Sequence, residues 1–252
     1  MHPVLIQLGP LAIHTYGVMV ALGFILGIAL AAHRAKQAGI DPQRINDLGI
    51  WLIVAGMLGG KLFYILFYWR DFSESLHSRG IAALREGFVF FGGFIGASLT
   101  AVWYARRKQL PLWKLADALA PSVALGHAFG RIGCFFEGCC YGKACTLPWA
   151  VQFPGLPTTV HPTQLYEAAG NFAIAAGLSL FYHRKKFDGQ VWWLYVLLYG
   201  ALRFTNEFFR GDYPVYYLGV LTSAHLIAAL LMLIAAVGYQ WSRRTGQRLP
   251  AA

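Results

Sequence analysis

Basic residues in this chain recur in step with its apolar stretches. Arg34 and Lys36, then Arg106, Arg107 and Lys108, then Arg184, Lys185 and Lys186, then Arg243, Arg244 and Arg248 each follow an odd-numbered stretch. A run of about 18 to 25 mostly apolar residues crosses a hydrocarbon core roughly 30 Å thick as a helix. Cytoplasmic ends of such helices attract the excess of Lys and Arg. The pattern therefore predicts an all-α integral membrane protein with seven transmembrane helices, N-terminus outside and C-terminus cytoplasmic. The expected spans are 14–33, 46–69, 88–105, 113–132, 162–182, 190–208 and 218–241.

Composition agrees: 57% of residues are hydrophobic and only 13% charged, about half the charged fraction of a soluble domain. The formal net charge of +10 raises nucleic acid as a partner, but the positive residues are dispersed over helix ends instead of gathered in one stripe. Orientation and contact with anionic headgroups account for them, and no nucleic acid is expected. The opening segment carries no Lys or Arg before its apolar run, and basic residues follow Ala31 and Ala32 at once, so the first span is expected to be retained. With no repeat or linker, residues 1–252 form a single polytopic membrane domain in this reading.

A charge in mid-bilayer is costly, so Lys61, Arg131, Glu167, Arg203 and Glu207 should face a protein interior or a wet cavity, either pairing helices or serving a site. Tyr199, Arg203 and Glu207 fall at successive steps of four on the sixth span and so share one face. Arg210 and Asp212, just beyond, either extend that polar lip or are solvated end residues. His127 precedes Arg131 by one turn on the fourth span, and an arginine there offers a planar fork to phosphate. His161, Gln164 and Glu167 recur every three residues at the start of the fifth span, on nearly one face. Gly92, Gly93 and Gly96 on the third span either pack helices closely or admit lipid.

All four cysteines, Cys134, Cys139, Cys140 and Cys145, fall in one segment expected outside, where disulfides persist. Their spacing lacks the paired CxxC pattern of ordinary zinc sites, so no metal is expected and bridged or reduced thiols both stay open.

Taken in order, HTYG, GGFIGA, GRIGCFFEGCCYG, HPTQLYEA and LRFTNEFFR resemble the phosphatidylglycerol:prolipoprotein diacylglyceryl transferase family over almost the whole chain. The resemblance implies an enzyme of the bacterial inner membrane, acting at its outer face. Its substrates would be phosphatidylglycerol and the signal peptides of prolipoproteins, whose lipobox cysteine thiol receives the diacylglyceryl group as glycerol phosphate leaves. It also implies an important tyrosine at Tyr16, a headgroup-binding arginine at Arg131, and site residues at Tyr199, Arg203 and Glu207. The chain departs from the family where a histidine before the glycine pair is Phe91, and where the signature's asparagine, second asparagine and glutamate are Cys134, Glu137 and Cys139.

For that chemistry the candidate catalytic residues are Arg203, Glu207, Tyr199 and His127, and the candidate substrate-binding residues are Arg131, Tyr16, Gly92, Gly93, His161 and Gln164. A thiol must lose its proton, for which His127 comes first, Glu207 second and Tyr199 third, while Arg131 and Arg203 meet the departing phosphate. The displacement itself calls for no cofactor. Two alternatives remain: a membrane thiol-disulfide oxidoreductase, which the clustered thiols fit and the arginines do not, or a phospholipid-binding relative without activity.

Overall fold

Solvent exposure of apolar side chains decides how this fold is to be understood. In the computed structural model, which describes residues 2–9, 11–85, 87–211, 217 and 221–245, Leu58, Leu66 and Leu99 are each more than 60% exposed. Only 6% of the most apolar part of α2 (Pro42–Phe67) is buried. In water such surfaces would drive aggregation; beside lipid tails they are ordinary. Asp212 and Arg248 lie outside the described residues.

Among the described residues, seven long helices stand close to the expected spans: α1 (Thr15–Gln37), α2, α4 (Phe90–Arg107), α5 (Leu112–Glu137), α6 (Thr163–Phe181), α7 (Gln190–Glu207) and α8 (Ser223–Thr245). Of these, α1, α2 and α8 are long and apolar enough by themselves to cross a membrane; α5, α6 and α7 carry buried polar groups that dilute their apolar character, and α4 ends in Arg106 and Arg107. Some elements have no counterpart in the expected spans. An antiparallel hairpin, β1 (Val4–Leu8) with β2 (Leu11–His14), precedes α1. A short helix, α3 (Trp69–Arg79), follows α2 with Phe72 turned inward.

The turn chemistry is local. Gly39, at φ +75°, ends α1. Asp41 then starts α2, its carboxylate accepting from the Gln43 N–H at 3.0 Å, with Pro42 in the first turn.

Contacts divide the chain into two compact units, residues 35–115 and residues 1–34 with 116–252. In the first, α2 and α4 meet through glycine: a Cβ on Gly92 would lie 2.5 Å from the Gly59 carbonyl oxygen, and one on Gly96 would lie 2.7 Å from that of Ala55. Small residues thus let two backbones touch. Lys61 belongs to the same unit. Its ammonium donates to the Ala83 carbonyl at 3.0 Å and lies 5.1 Å from the Tyr64 and Phe72 rings, a structural pairing.

In the second unit α5, α6 and α7 share a core of Ala120, Ala124, Ile174, Leu178, Val191 and Tyr195. Its two ends differ. At one, Arg34 of α1 donates to the Ser179 carbonyl at 3.0 Å and lies over the Tyr182 ring. There too the buried Asp117 of α5 accepts from Lys185 at 3.0 Å and from the backbone N–H groups of Gly189 and Trp192 at 2.9 and 3.0 Å, capping α7 from another helix. Burial disfavours the Lys185 ammonium, but Asp117 and Asp188 more than offset this and hold its pKa above the ordinary 10.5. Because that pKa is raised, the pair's contribution is fully present below pH 10.5 and is lost as the pH rises past it. Asp117→Ala strips the cap and the cation's main partner, and should cost about 3 kcal/mol, read as a lower thermal midpoint in detergent. An unchanged midpoint would show the cap to be dispensable.

Candidate active site

The other end of this unit gathers the polar groups. It is built from the last turns of α5 and α7, the first turns of α6 and α8, and the start of α1. On α5, His127 and Arg131 are one turn apart; on α7, Tyr199, Arg203 and Glu207 hold the spacing of four that the sequence showed.

Glu167 on α6 joins the two helices. Its fully buried carboxylate lies 3.0 Å from an Arg131 guanidinium nitrogen and 3.6 Å from His127 Nε2. It accepts from the Tyr199 hydroxyl at 3.4 Å and from the Asn206 amide at 3.1 Å. Asn171, one turn on, donates to the Glu167 carbonyl at 2.8 Å. The sequence places Glu167 on one face with His161 and Gln164, but its helix gives no sign of which neighbours that face meets.

Glu207 makes the second carboxylate centre. Its Oε2 lies 2.8 Å from Arg203 and 3.7 Å from Arg210 Nε, and its Oε1 accepts from the Thr222 hydroxyl at 2.7 Å. Thr222 is in turn held by His225 Nδ1, which accepts from its backbone N–H at 3.1 Å. Arg210 is buried, so of the two readings open for it the polar lip holds.

Three arginines thus face two carboxylates, leaving one positive charge in excess among these five groups. Arg131 Nε and Arg203 Nη1 are buried with no hydrogen-bond partner among the described residues. A buried unpaired N–H costs about 1–3 kcal/mol, and an anion with several oxygens would satisfy both. Charge-assisted hydrogen bonds to an anion are the strong kind that such donors can make.

The remaining candidates fall in different places. Tyr16, at the start of α1, packs where Gly133 leaves room: a Cβ there would lie 2.9 Å from its ring. It is an electrostatic neighbour of Arg131. Gln164 is buried and donates to the Cys139 carbonyl at 2.7 Å, fastening the loop after α5. His161 precedes α6; its ring lies 5.3 Å from Phe209, and its Nδ1 is 3.2 Å from the Tyr166 hydroxyl, so it acts in the packing of that loop. Gly92 and Gly93 pack α4 against α2, in the other unit.

The loop of residues 138–162 is stitched across the site's edge. Gly142 N–H donates to the His161 carbonyl at 2.9 Å and Lys143 N–H to that of Phe209 at 2.8 Å. Only glycine fits at 142, since a Cβ there would lie 2.5 Å from the Phe209 oxygen. All four cysteines are free thiols.

The site therefore sets two arginines, Arg131 and Arg203, beside an imidazole, a phenol and a set of thiols. Comparison with known proteins points the same way. The prolipoprotein diacylglyceryl transferase family model matches residues 3–241. A protein of Clostridium tetani called phosphatidylglycerol--prolipoprotein diacylglyceryl transferase is 38% identical over 240 residues, spanning 93% of this chain and 95% of its own. One of the same name from Nitratidesulfovibrio vulgaris is 41% identical over 217 residues, 84% of this chain and 82% of its own. A third, from Finegoldia magna, is 36% identical over 224 residues. The chain belongs to the prolipoprotein diacylglyceryl transferase family.

Proposed function

We propose that this chain transfers the diacylglyceryl group of phosphatidylglycerol to the lipobox cysteine thiol of a prolipoprotein signal peptide, as a seven-span enzyme of the bacterial inner membrane. The observation that carries this reading is the pair of partly buried guanidinium groups, Arg131 and Arg203, each keeping one buried N–H with no partner among the described residues. A phosphodiester fits them, and they do more as the reaction proceeds. When carbon and phosphate oxygen part, the diester anion becomes a monoester with a second negative charge, which the arginines stabilise beyond the ground state.

Glu207 aims Arg203 and is itself occupied by Arg210 and Thr222, so its place is positioning, and it ranks below His127 as a proton acceptor. His127 is 4.9 Å from the Tyr199 ring and faces Glu167, which stabilises an imidazolium formed by taking up the thiol proton through water. Tyr199 and Asn206 hold Glu167 in place. The oxidoreductase alternative gains nothing from this arrangement: its thiols need a redox partner, while the arginines need an anion.

Purified protein with phosphatidylglycerol should release glycerol phosphate when a lipobox peptide is present, and none when the peptide's cysteine is serine. Equal release with either peptide would mean lipid hydrolysis. Orientation is tested separately on a cysteine-free background. A membrane-impermeant thiol reagent should label Lys143→Cys in intact cells and leave Lys186→Cys unmarked. The reverse pattern would put the site on the cytoplasmic side, away from exported substrates.

A further inference from the structure

The thiols next to the anion site are arranged more closely than their spacing in sequence suggests. Cys134 stands in the last turn of α5, which then closes at Gly138, φ +77°, whose N–H donates to the Cys134 carbonyl at 3.1 Å. The chain reverses, and Cys140 adopts φ +64°, a left-handed conformation that a residue other than glycine takes only when it is held there. It is held: Gln164 donates to the Cys139 carbonyl at 2.7 Å and Thr163 to the Cys140 carbonyl at 2.9 Å, both from the buried first turn of α6. The result is that the sulfurs of Cys134, Cys139 and Cys140 all lie within 4.8 Å of one another. Cys145 is not among them.

We propose that Cys134, Cys139 and Cys140 bind a zinc ion in a three-thiolate site whose fourth position takes the substrate's lipobox cysteine as thiolate. This rests on the transfer reading above and assigns where its nucleophile forms. Three protein ligands with one open position is the arrangement of catalytic rather than structural zinc, and a thiol bound to the ion is deprotonated. Three thiolates around Zn²⁺ leave one net negative charge, and Arg131 and Arg210 are the nearby cations that balance it. Cys139 is exposed, so the cluster opens toward an incoming peptide.

Geometry links the cluster to the phosphate site. Arg131 precedes Cys134 by three residues and shares its helical face, roughly 5 Å away. His127 is seven residues from Cys134, about 10 Å along the axis, too far for direct contact with a thiol at the cluster. The substrate thiol binds zinc and its proton leaves to water. The sulfur lone pair attacks the glyceryl carbon bearing the phosphate, the carbon–oxygen bond breaks, and glycerol phosphate leaves with that electron pair beside Arg131 and Arg203. The neutral thioether is a weak ligand and departs, restoring the open position. No electron is gained or lost overall, and no oxidant or reductant takes part.

The test uses the full chain, reduced, stripped of metal and kept without oxygen. Reloaded with Co²⁺ as a spectroscopic probe, it should show intense sulfur-to-cobalt absorption at one ion per chain. That absorption should be lost in Cys134→Ser, Cys139→Ser and Cys140→Ser but kept in Cys145→Ser. A lipobox peptide should strengthen the band, and its serine version should not. Stripped protein should transfer at least about tenfold more slowly at neutral pH, where only a few per cent of free thiol is ionised, and one equivalent of Zn²⁺ should restore the rate. Absence of stoichiometric binding to fully reduced protein, or a cobalt spectrum indifferent to the peptide thiol, overturns the proposal. Full-rate transfer by stripped protein overturns it too while leaving the transferase reading intact. No transfer by stripped or loaded protein overturns both.

Discussion

Arg203→Ala should lower the rate of diacylglyceryl transfer by about 100-fold or more while leaving the protein inserted and folded. Removing one preorganised donor aimed at developing charge typically costs about 10²–10³ in rate. This variant separates chemistry from folding well. Its partner Glu207 keeps Thr222 at 2.7 Å and Arg210 at 3.7 Å, so no bare carboxylate is left behind. Arg203→Lys should recover only part of the rate: an ammonium supplies charge but cannot both pair with Glu207 and present a second N–H in the same plane. Initial rates at equal membrane abundance check this. A near-normal rate in Arg203→Ala would remove Arg203 from the site.

Glu167→Gln should do damage of a different kind. The Glu167 carboxylate is the partner of Arg131 at 3.0 Å and a junction for His127, Tyr199 and Asn206. Without its charge, Arg131 stays partly buried with no ion partner among the described residues, and breaking a buried pair costs about 3–5 kcal/mol. The expected result is both a lower thermal midpoint in detergent and transfer reduced about 100-fold, since Arg131 no longer points where the phosphate sits. Glu167→Asp should not restore it, because the shorter arm cannot span from α6 to both α5 and α7. Loss of rate with an unchanged midpoint would instead make Glu167 a participant in proton transfer rather than a support for Arg131.

The helices were legible because a bilayer permits few solutions. Backbone groups must bond within a span, so long apolar runs become helices, and α1, α2 and α4 to α8 stand within a few residues of where the runs lie. Arg131, Tyr199, Arg203 and Glu207 were legible for a related reason: polar groups in such runs are expensive, and helical spacing puts them on shared faces.

What escaped depends on contacts distant in sequence. Asp117 caps a helix that starts more than seventy residues later. Glu167 became central only once α6 lay between α5 and α7. Arg210 stood open between solvated end and buried lip until the loop of residues 138–162 folded over it. The convergence of Cys134, Cys139 and Cys140 could not be read from their spacing, which leaves the turn after α5 undefined. Here a helix end and a left-handed residue bring sulfurs five and six positions apart to one point. For Gly92 and Gly93 the sequence left close packing and room for lipid both open, and the structure shows the space beside them taken up by α2.

The most direct test of the central claim is the mass of the acceptor. A synthetic lipobox peptide, incubated with the purified protein and phosphatidylglycerol of defined acyl chains, should gain the mass of one diacylglyceryl group. Fragmentation should place that group on the cysteine sulfur as a thioether stable to hydroxylamine. An unmodified peptide, under conditions in which phosphatidylglycerol is bound and the protein is folded, would contradict transfer and leave a phospholipid-binding protein in its place.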